Sequence, residues 1–188
     1  CADGIKPKID RLKDLPIEIL SLASFEILPE PLEDGLTFAE NARRKAEHYY
    51  RLTGIPTIAD DSGLEVDVLD GEPGVRSARF APTDAERIAK LLDQLKSRNL
   101  TGESAVSARF VCAICAMLLD RRIEVEGRVE GRITREPRGD RGFGYDPVFY
   151  YPPLKKTFAE MSSEEKNRVS HRGKALRKLK IELEKILH

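Results

Sequence analysis

Two adjacent carboxylates, Asp60 and Asp61, form a candidate site for a metal cation, and Ser62 and Gly63 follow them directly. The apolar run before them, residues 57–59, predicts the end of a buried strand. Successive strand side chains point to opposite faces, so one carboxylate is expected to face a cleft and the other the fold. A strand-end carboxylate beside a glycine hinge suits a hard cation and a phosphate. Taken alone, the four residues are better explained as a solvated turn.

A glycine-rich segment, PRGDRGFGYDP at residues 137–147, carries two aromatic residues and a carboxylate. Its glycines permit turns and a close approach to a ligand. Phe143 and Tyr145 offer faces on which a purine can stack, and Asp146 offers an acceptor for base N–H groups. A turn packed by its own aromatic rings is the simpler explanation of the segment alone, whereas the motifs around it favour base recognition.

Positively charged residues mark the start of the final helix. Ser170 is predicted to cap this helix, which places His171 and Arg172 in its first turn. Positive charges at that end oppose the helix macrodipole, which indicates that they are held there for another purpose. Lys166, in the preceding segment EEKNRV, adds a further positive charge near them in the sequence.

Two glutamates compete as metal ligands in the segment EDGLTFAENARRKA, residues 33–46. Thr37 and Glu40 have the spacing of a capping box, so Glu40 already has a structural task at the start of a helix. Glu33 lies in the loop before that helix. On the residues alone, both carboxylates stay open as ligands.

Four motifs in a fixed order make the combination far more specific than any one of them. They are EDGLTFAENARRKA, IADDSGLEVDVLDGEPGVRSARF, GDRGFGYDPVF and EEKNRVSHRGKAL. Together they resemble the inosine triphosphate pyrophosphatase family, the house-cleaning nucleoside triphosphate pyrophosphohydrolases. The resemblance extends over about residues 28–176, which is most of the chain.

The resemblance implies Mg²⁺-dependent hydrolysis of deaminated purine nucleoside triphosphates (ITP, dITP and XTP) to the monophosphate and pyrophosphate, by a homodimer. It assigns the metal to Glu33 and Asp61, and it makes Asp61 the base that activates the attacking water. Asp60 is expected to support Asp61. The residues expected to contact the substrate are Lys8, Ser62, Phe143, Gly144, Tyr145, Asp146, Lys166, His171 and Arg172.

The N-terminal segment departs from the family pattern, in which a strand leads into a Thr-x-Asn-x-x-Lys phosphate loop. Asp3 stands in place of the threonine and Ile5 in place of the asparagine, whereas Lys8 matches the lysine. The strand is missing and the chain begins without Met. We expect either a truncated or processed chain or a member that has lost this strand.

The length of 188 residues indicates one domain. Its residues are 40% hydrophobic and 34% charged, a composition that is ordinary for a globular domain. Lys and Arg together number 32, as do Asp and Glu, so the neutral net charge argues against binding to nucleic acid. No apolar run approaches the ~20 residues of a membrane span, and no signal peptide is visible, so a cytoplasmic protein is expected. Cys112 and Cys115 form a C-x-x-C inside an apolar run and are interpreted as core thiols.

The pattern of predicted helices and strands indicates an α/β fold. Helices are expected to start at Thr37 and Thr83, and residues 16–22, 105–119 and 123–133 are predicted strands, the last two as an antiparallel hairpin. The resemblance implies a long, mixed, twisted sheet flanked by helices, in two lobes with a central cleft.

Three alternatives stay open. The first is an enzyme of the same fold that acts on another nucleotide, and a substrate panel would separate that case. A nucleotide-binding homologue with weak or no catalysis is motivated by the altered phosphate loop. A nucleic-acid-binding protein is disfavoured by the neutral charge.

Overall fold

A computed structural model describes residues 12, 14–25, 27–98 and 106–187 of the chain. The predicted phosphate-loop residues Asp3, Ile5 and Lys8 lie outside the described residues. The chain divides into two compact units. The first unit takes its described residues from Cys1–Asp61, Cys112–Gly127 and His171–His188, and the second consists of Ser62–Val111 and Arg128–Ser170.

Within the described ranges, five strands form one sheet in sequence order. They are β1 (Thr57–Val66), β2 (Val106–Met117), β3 (Arg122–Ile133), β4 (Phe149–Tyr151) and β5 (Lys156–Thr157). β3 pairs antiparallel with β4, and β4 pairs antiparallel with β5. β2 and β3 are neighbours joined by residues 118–121, a connection that is too short for a parallel crossover. The predicted hairpin is therefore confirmed, as is the α/β class.

In the described part of the chain, the α-helices beside the sheet are α1 (Phe38–Thr53), α2 (Asp84–Ser97), α3 (Ser163–Val169) and α4 (His171–Leu187). Thr83 and Glu86 form the capping box that the sequence suggests for α2. At α1, Thr37 Oγ1 accepts from the Glu40 amide at 3.1 Å. Glu40 is structural as predicted, although its carboxylate accepts from the Leu36 amide at 2.7 Å rather than from the cap residue.

The two adjacent carboxylates do not stand at a strand end. Asp60 and Asp61 lie in the middle of β1, which continues without interruption through Ser62 and Gly63. The expectation of a strand end followed by a hinge is therefore wrong. Alternation along this continuous strand still sends the two carboxylates to opposite faces, where each meets partners on another element.

The segment predicted as a first strand, residues 16–22, is also different from the expectation. Residues 17–21 have no regular secondary structure, and the 3₁₀ turn Leu22–Ser24 follows them. The Ile17 amide donates to the Leu15 carbonyl at 2.8 Å. Because the Ile17 amide is used in this local turn, it does not pair with a neighbouring strand.

Each unit has its own hydrophobic core. In the second unit Phe110, Phe149 and Phe158 pack ring against ring, with centroids 4.5 Å apart for Phe110 and Phe149 and 4.8 Å apart for Phe149 and Phe158. In the first unit α4 packs its leucines on the Cys112 side of β2. Among the described residues, no helix is long and apolar enough to span a membrane.

Cys112 and Cys115 are both buried in β2, which confirms their interpretation as core thiols. Burial raises the pKa of Cys115 from 9.0 to about 11, with a smaller contribution from the nearby carboxylate of Glu124. A thiol in this state is a poor nucleophile at neutral pH, which disfavours a redox role.

Cys115 should make the fold less stable in alkaline solution. A pKa raised in the folded state stabilises the protein fully below the unfolded pKa of 9.0, and this contribution is lost as pH rises through about 11. We expect the free energy of unfolding to fall more steeply from pH 9 to pH 11 in the wild type than in Cys115→Ala. Denaturant titrations at several pH values measure this difference, and parallel curves for the two proteins would contradict the assignment.

Candidate active site

Asp61 is held by two side chains of α1. Asn41 Nδ2 donates to its Oδ2 at 3.1 Å, and Lys45 Nζ lies 3.2 Å from its Oδ1. Asn41 and Lys45 are four residues apart, so they project from the same face of the helix, one turn from each other. The helix therefore presents one neutral donor and one cation to the same carboxylate.

Lys45 also connects Asp61 to Glu33. The Lys45 ammonium lies 3.5 Å from Glu33 Oε2, so the two carboxylates predicted to bind metal approach one positive charge. Asn41, which is fully buried, accepts from the Gly35 amide at 2.8 Å and so fixes the end of the loop that carries Glu33. A Cβ at Gly35 would lie 2.6 Å from Asn41 Oδ1, so this close approach requires glycine.

The pKa of Asp61 is raised above its ordinary value, and burial is the largest cause. Lys45 and Asn41 act in the opposite direction, and the charge of Glu33 adds to the rise. Removal from water outweighs the partners, so the ionised carboxylate retains a strong tendency to take up a proton or a cation.

Asp60 faces a different set of partners from its neighbour. Its Oδ2 accepts from Arg172 Nε at 3.0 Å, and the Cys112 thiol lies 3.8 Å from the same oxygen. His171 and Arg172 are the first two residues of α4, as the sequence predicts. Gly127 of β3 lets this helix start lie against the strand, because a Cβ there would collide with the His171 carbonyl. Asp60 thus supports Arg172, whereas the expectation was that it would support Asp61.

In the second unit, Asp146 organises the glycine-rich turn around its own buried carboxylate. Asp146 Oδ2 accepts from the Phe143 amide at 2.8 Å and forms an ion pair with Lys166. The Lys166 ammonium also lies 4.7 Å from the centroid of the Phe143 ring. Gly142 has φ of +82°, and a Cβ there would collide with Asp146 Oδ2, so glycine is required.

The two aromatic residues of this turn have different environments. Phe143 is 51% exposed, whereas Tyr145 is 3% exposed and belongs to the core of the second unit. The Tyr145 hydroxyl donates to the Ser77 carbonyl at 3.1 Å. The expectation that Tyr145 offers a stacking face is therefore wrong, because its ring is buried, whereas the ring of Phe143 is exposed.

The predicted site residues therefore fall into two groups. Glu33, Asp61, His171 and Arg172 belong to the first unit, and Ser62, Phe143, Gly144, Tyr145, Asp146 and Lys166 belong to the second. Ser62 is half-buried in β1, and Lys8 lies outside the described residues. In the part of the chain that the structure describes, no group of three or more His, Cys, Asp or Glu side chains is arranged to hold a metal.

Sequence reasoning missed Asn41, Lys45 and Asp84 as partners of the site residues. Asn41 gave a detectable signal, because it occupies a position between Phe38 and Ala42 on the buried face of α1. A polar residue at such a position must find a hydrogen-bond partner. Lys45 and Asp84 look like ordinary helix-surface charges in the sequence, and nothing local indicates their contacts.

A profile of the Ham1 family matches residues 5–182. The chain belongs to the Ham1 family. A dITP/XTP pyrophosphatase of Desulfotalea psychrophila is 52% identical over 180 residues, which cover 94% of this chain and 78% of that protein. One of Thermus thermophilus is 54% identical over 183 residues, which cover 94% of this chain and 86% of the relative.

Solved structures of Ham1 proteins have the same fold. A HAM1 protein from Coxiella burnetii superposes with a TM-score of 0.90 at 42% identity, covering 98% of this chain and 95% of that one. The Ham1 protein of Staphylococcus aureus gives a TM-score of 0.87 at 37% identity, covering 98% and 94%. The resemblance inferred from the four motifs is therefore confirmed.

Proposed function

We propose that this protein hydrolyses deaminated purine nucleoside triphosphates, namely ITP, dITP and XTP, to the monophosphate and pyrophosphate. The observation that carries the proposal is the approach of Glu33 and Asp61 to one ammonium group, 3.5 Å and 3.2 Å from Lys45 Nζ. Membership of the Ham1 family supports the proposal as well. The relatives that share about half of their residues with this chain are dITP/XTP pyrophosphatases.

The donor set fits Mg²⁺. Glu33 and Asp61 supply carboxylate oxygens, and they already face a cation, which is the charge that they would meet in a metal complex. Mg²⁺ keeps several waters and takes few protein ligands, so two carboxylates together with substrate phosphates suffice. When bound, the metal would neutralise the triphosphate and so reduce its repulsion of a nucleophile.

Asp61 is the proposed base for the water that attacks the α-phosphorus, and one of its carboxylate oxygens takes up the proton. Burial raises its pKa, which makes it a better base than an exposed aspartate. Lys45 and Asn41 hold its orientation from α1. Asp60 holds Arg172 on the opposite face of the strand.

We propose that the base is recognised at the turn of Phe143 and Gly144, with donors from His171 and Arg172. The expectation that Asp146 accepts from the base is replaced, because its carboxylate is buried and holds the turn through the Phe143 amide and Lys166. The exposed Phe143 ring supplies a stacking surface. A donor directed at position 6 of the purine favours a keto oxygen over an amino group. The proposed phosphate contacts are Ser62, Lys166 and Lys8.

A homologue that binds nucleotides without turnover is the second candidate, motivated by Asp3 and Ile5 in the phosphate loop. It is not favoured, because the groups proposed for metal binding and base catalysis are present. We further propose that the enzyme acts as a cytoplasmic homodimer.

Purified protein should release pyrophosphate from ITP in the presence of Mg²⁺ and lose this activity in EDTA. Hydrolysis of ATP should be slower by at least about 10²-fold in kcat/KM, because an amino group cannot accept the hydrogen bond meant for a keto oxygen. Product analysis by anion-exchange chromatography distinguishes pyrophosphate from single phosphates. Release of orthophosphate alone would rule out the proposed cleavage position, and binding of ITP without turnover would favour the second candidate.

A further inference from the structure

Asp84 reaches the glycine-rich turn from a distant part of the sequence. Its Oδ2 accepts from the Gly144 amide at 2.6 Å, across 60 residues of chain. Gly144 is the second residue of a β-turn that the Asp146 amide closes by donating to the Phe143 carbonyl at 3.2 Å. Gly144 has φ of +60° and Tyr145 has φ of −90° and ψ of 8°, which fits the type II′ class, where glycine is preferred at this position.

The second oxygen of Asp84 is fixed independently. Arg87 Nη1 donates to Asp84 Oδ1 at 2.6 Å, while Arg87 Nε donates to the Ala81 carbonyl at 2.9 Å. Thr83 and Glu86 close the capping box that sets the start of α2. The carboxylate of Asp84 is thus oriented before it meets the turn, and its remaining oxygen is directed at the Gly144 amide.

The contact gives an amide of the turn an acceptor on another element. The Phe143 amide donates to Asp146 Oδ2 and the Asp146 amide donates to the Phe143 carbonyl, so both of these bonds stay within the turn. The Gly144 amide instead donates to Asp84 of α2. A charged acceptor at this position holds the Phe143–Gly144 peptide plane, and with it the direction of the exposed Phe143 ring.

We propose that Asp84 is a positioning residue for the purine base, which rests on the proposed function of the turn in base recognition. Asp84 does not touch the substrate. It keeps the turn in the conformation that binds the base, so its loss lowers the fraction of competent molecules and raises the apparent dissociation constant. The chemical step is unchanged, because the bound complex has the turn in place.

The test compares Asp84→Ala with Asp84→Asn and with Asp93→Ala, an exposed aspartate of the same helix that pairs with Lys96. Asp84→Ala is expected to raise the KM for ITP roughly tenfold, with kcat within about twofold of wild type. Asp84→Asn keeps an acceptor oxygen, so its KM should be close to the wild-type value. Inhibition by pyrophosphate, which has no base, should be unchanged in all three variants.

The Gly144 amide gives a readout that needs no turnover. In ¹⁵N-labelled protein, Asp84→Ala should shift its proton resonance upfield and speed its exchange with solvent, whereas Asp84→Asn should retain protection. An unchanged resonance in Asp84→Ala would overturn the contact even if the wild type did not hydrolyse ITP. With an active wild type, the proposal is overturned by an unchanged KM, by an equal defect in Asp84→Asn, or by a parallel loss of pyrophosphate inhibition.

Discussion

Asp61→Asn is expected to reduce the turnover of ITP by about 10³-fold or more, since one substitution removes a proposed metal ligand and the proposed base. The variant keeps the size of the side chain and an oxygen that can accept from Asn41 or Lys45. It also removes a carboxylate whose pKa is raised by burial, so we expect no loss of folding stability. Steady-state kinetics with ITP and Mg²⁺, together with circular dichroism, measure both effects.

Asp60→Asn is the matched control, because it makes the same chemical change at the adjacent residue of β1. Asp60 contacts Arg172 and the Cys112 thiol, and an asparagine oxygen still accepts from Arg172 Nε. We expect a loss of about tenfold or less. Equal losses in the two folded variants would show that the division of roles between the carboxylates is wrong.

Asp146→Asn is expected to be the most destabilising single change at the site. Asp146 is 2% exposed and forms an ion pair with Lys166, which is largely buried as well. Removing one charge leaves the other uncompensated away from water, at a cost of about 3–5 kcal/mol. For a chain of this size the midpoint of thermal unfolding should fall by roughly 10 °C.

The double variant Asp146→Asn/Lys166→Met shows how much of the destabilisation comes from leaving one buried charge without its partner. It removes both charges, so it should be more stable than Asp146→Asn alone, and a double-mutant cycle gives the coupling free energy. Differential scanning calorimetry of the four proteins measures it. Additive destabilisation by the two substitutions would mean that the pair is not coupled as its contact indicates.

The features that the sequence predicted well are local. The capping box of Thr83 and Glu86 spans three residues, and the hairpin of β2 and β3 needs only two apolar runs and a short connection. The structural task predicted for Glu40 is local in the same way, since its carboxylate accepts from the Leu36 amide at the start of the helix. Such patterns depend on neighbours in the chain and survive in any tertiary context.

The contacts that the sequence did not reveal join distant segments. Lys45 meets Asp61 across 16 residues, Asp84 meets Gly144 across 60, and Arg172 meets Asp60 across 112. Lys45 and Asp84 look like ordinary charged residues in their own elements, and for all three contacts only the fold selects the partner. Tyr145 illustrates the reverse error, because an aromatic residue in a glycine-rich turn suggests a ligand contact whereas packing buries it.

The proposed reaction requires that water attack the α-phosphorus of ITP. Hydrolysis in water enriched with ¹⁸O, followed by mass spectrometry of both products, tests it directly. We expect the label to enter inosine monophosphate and pyrophosphate to remain unlabelled. Label in pyrophosphate, or in orthophosphate, would place the attack at another phosphorus and contradict it.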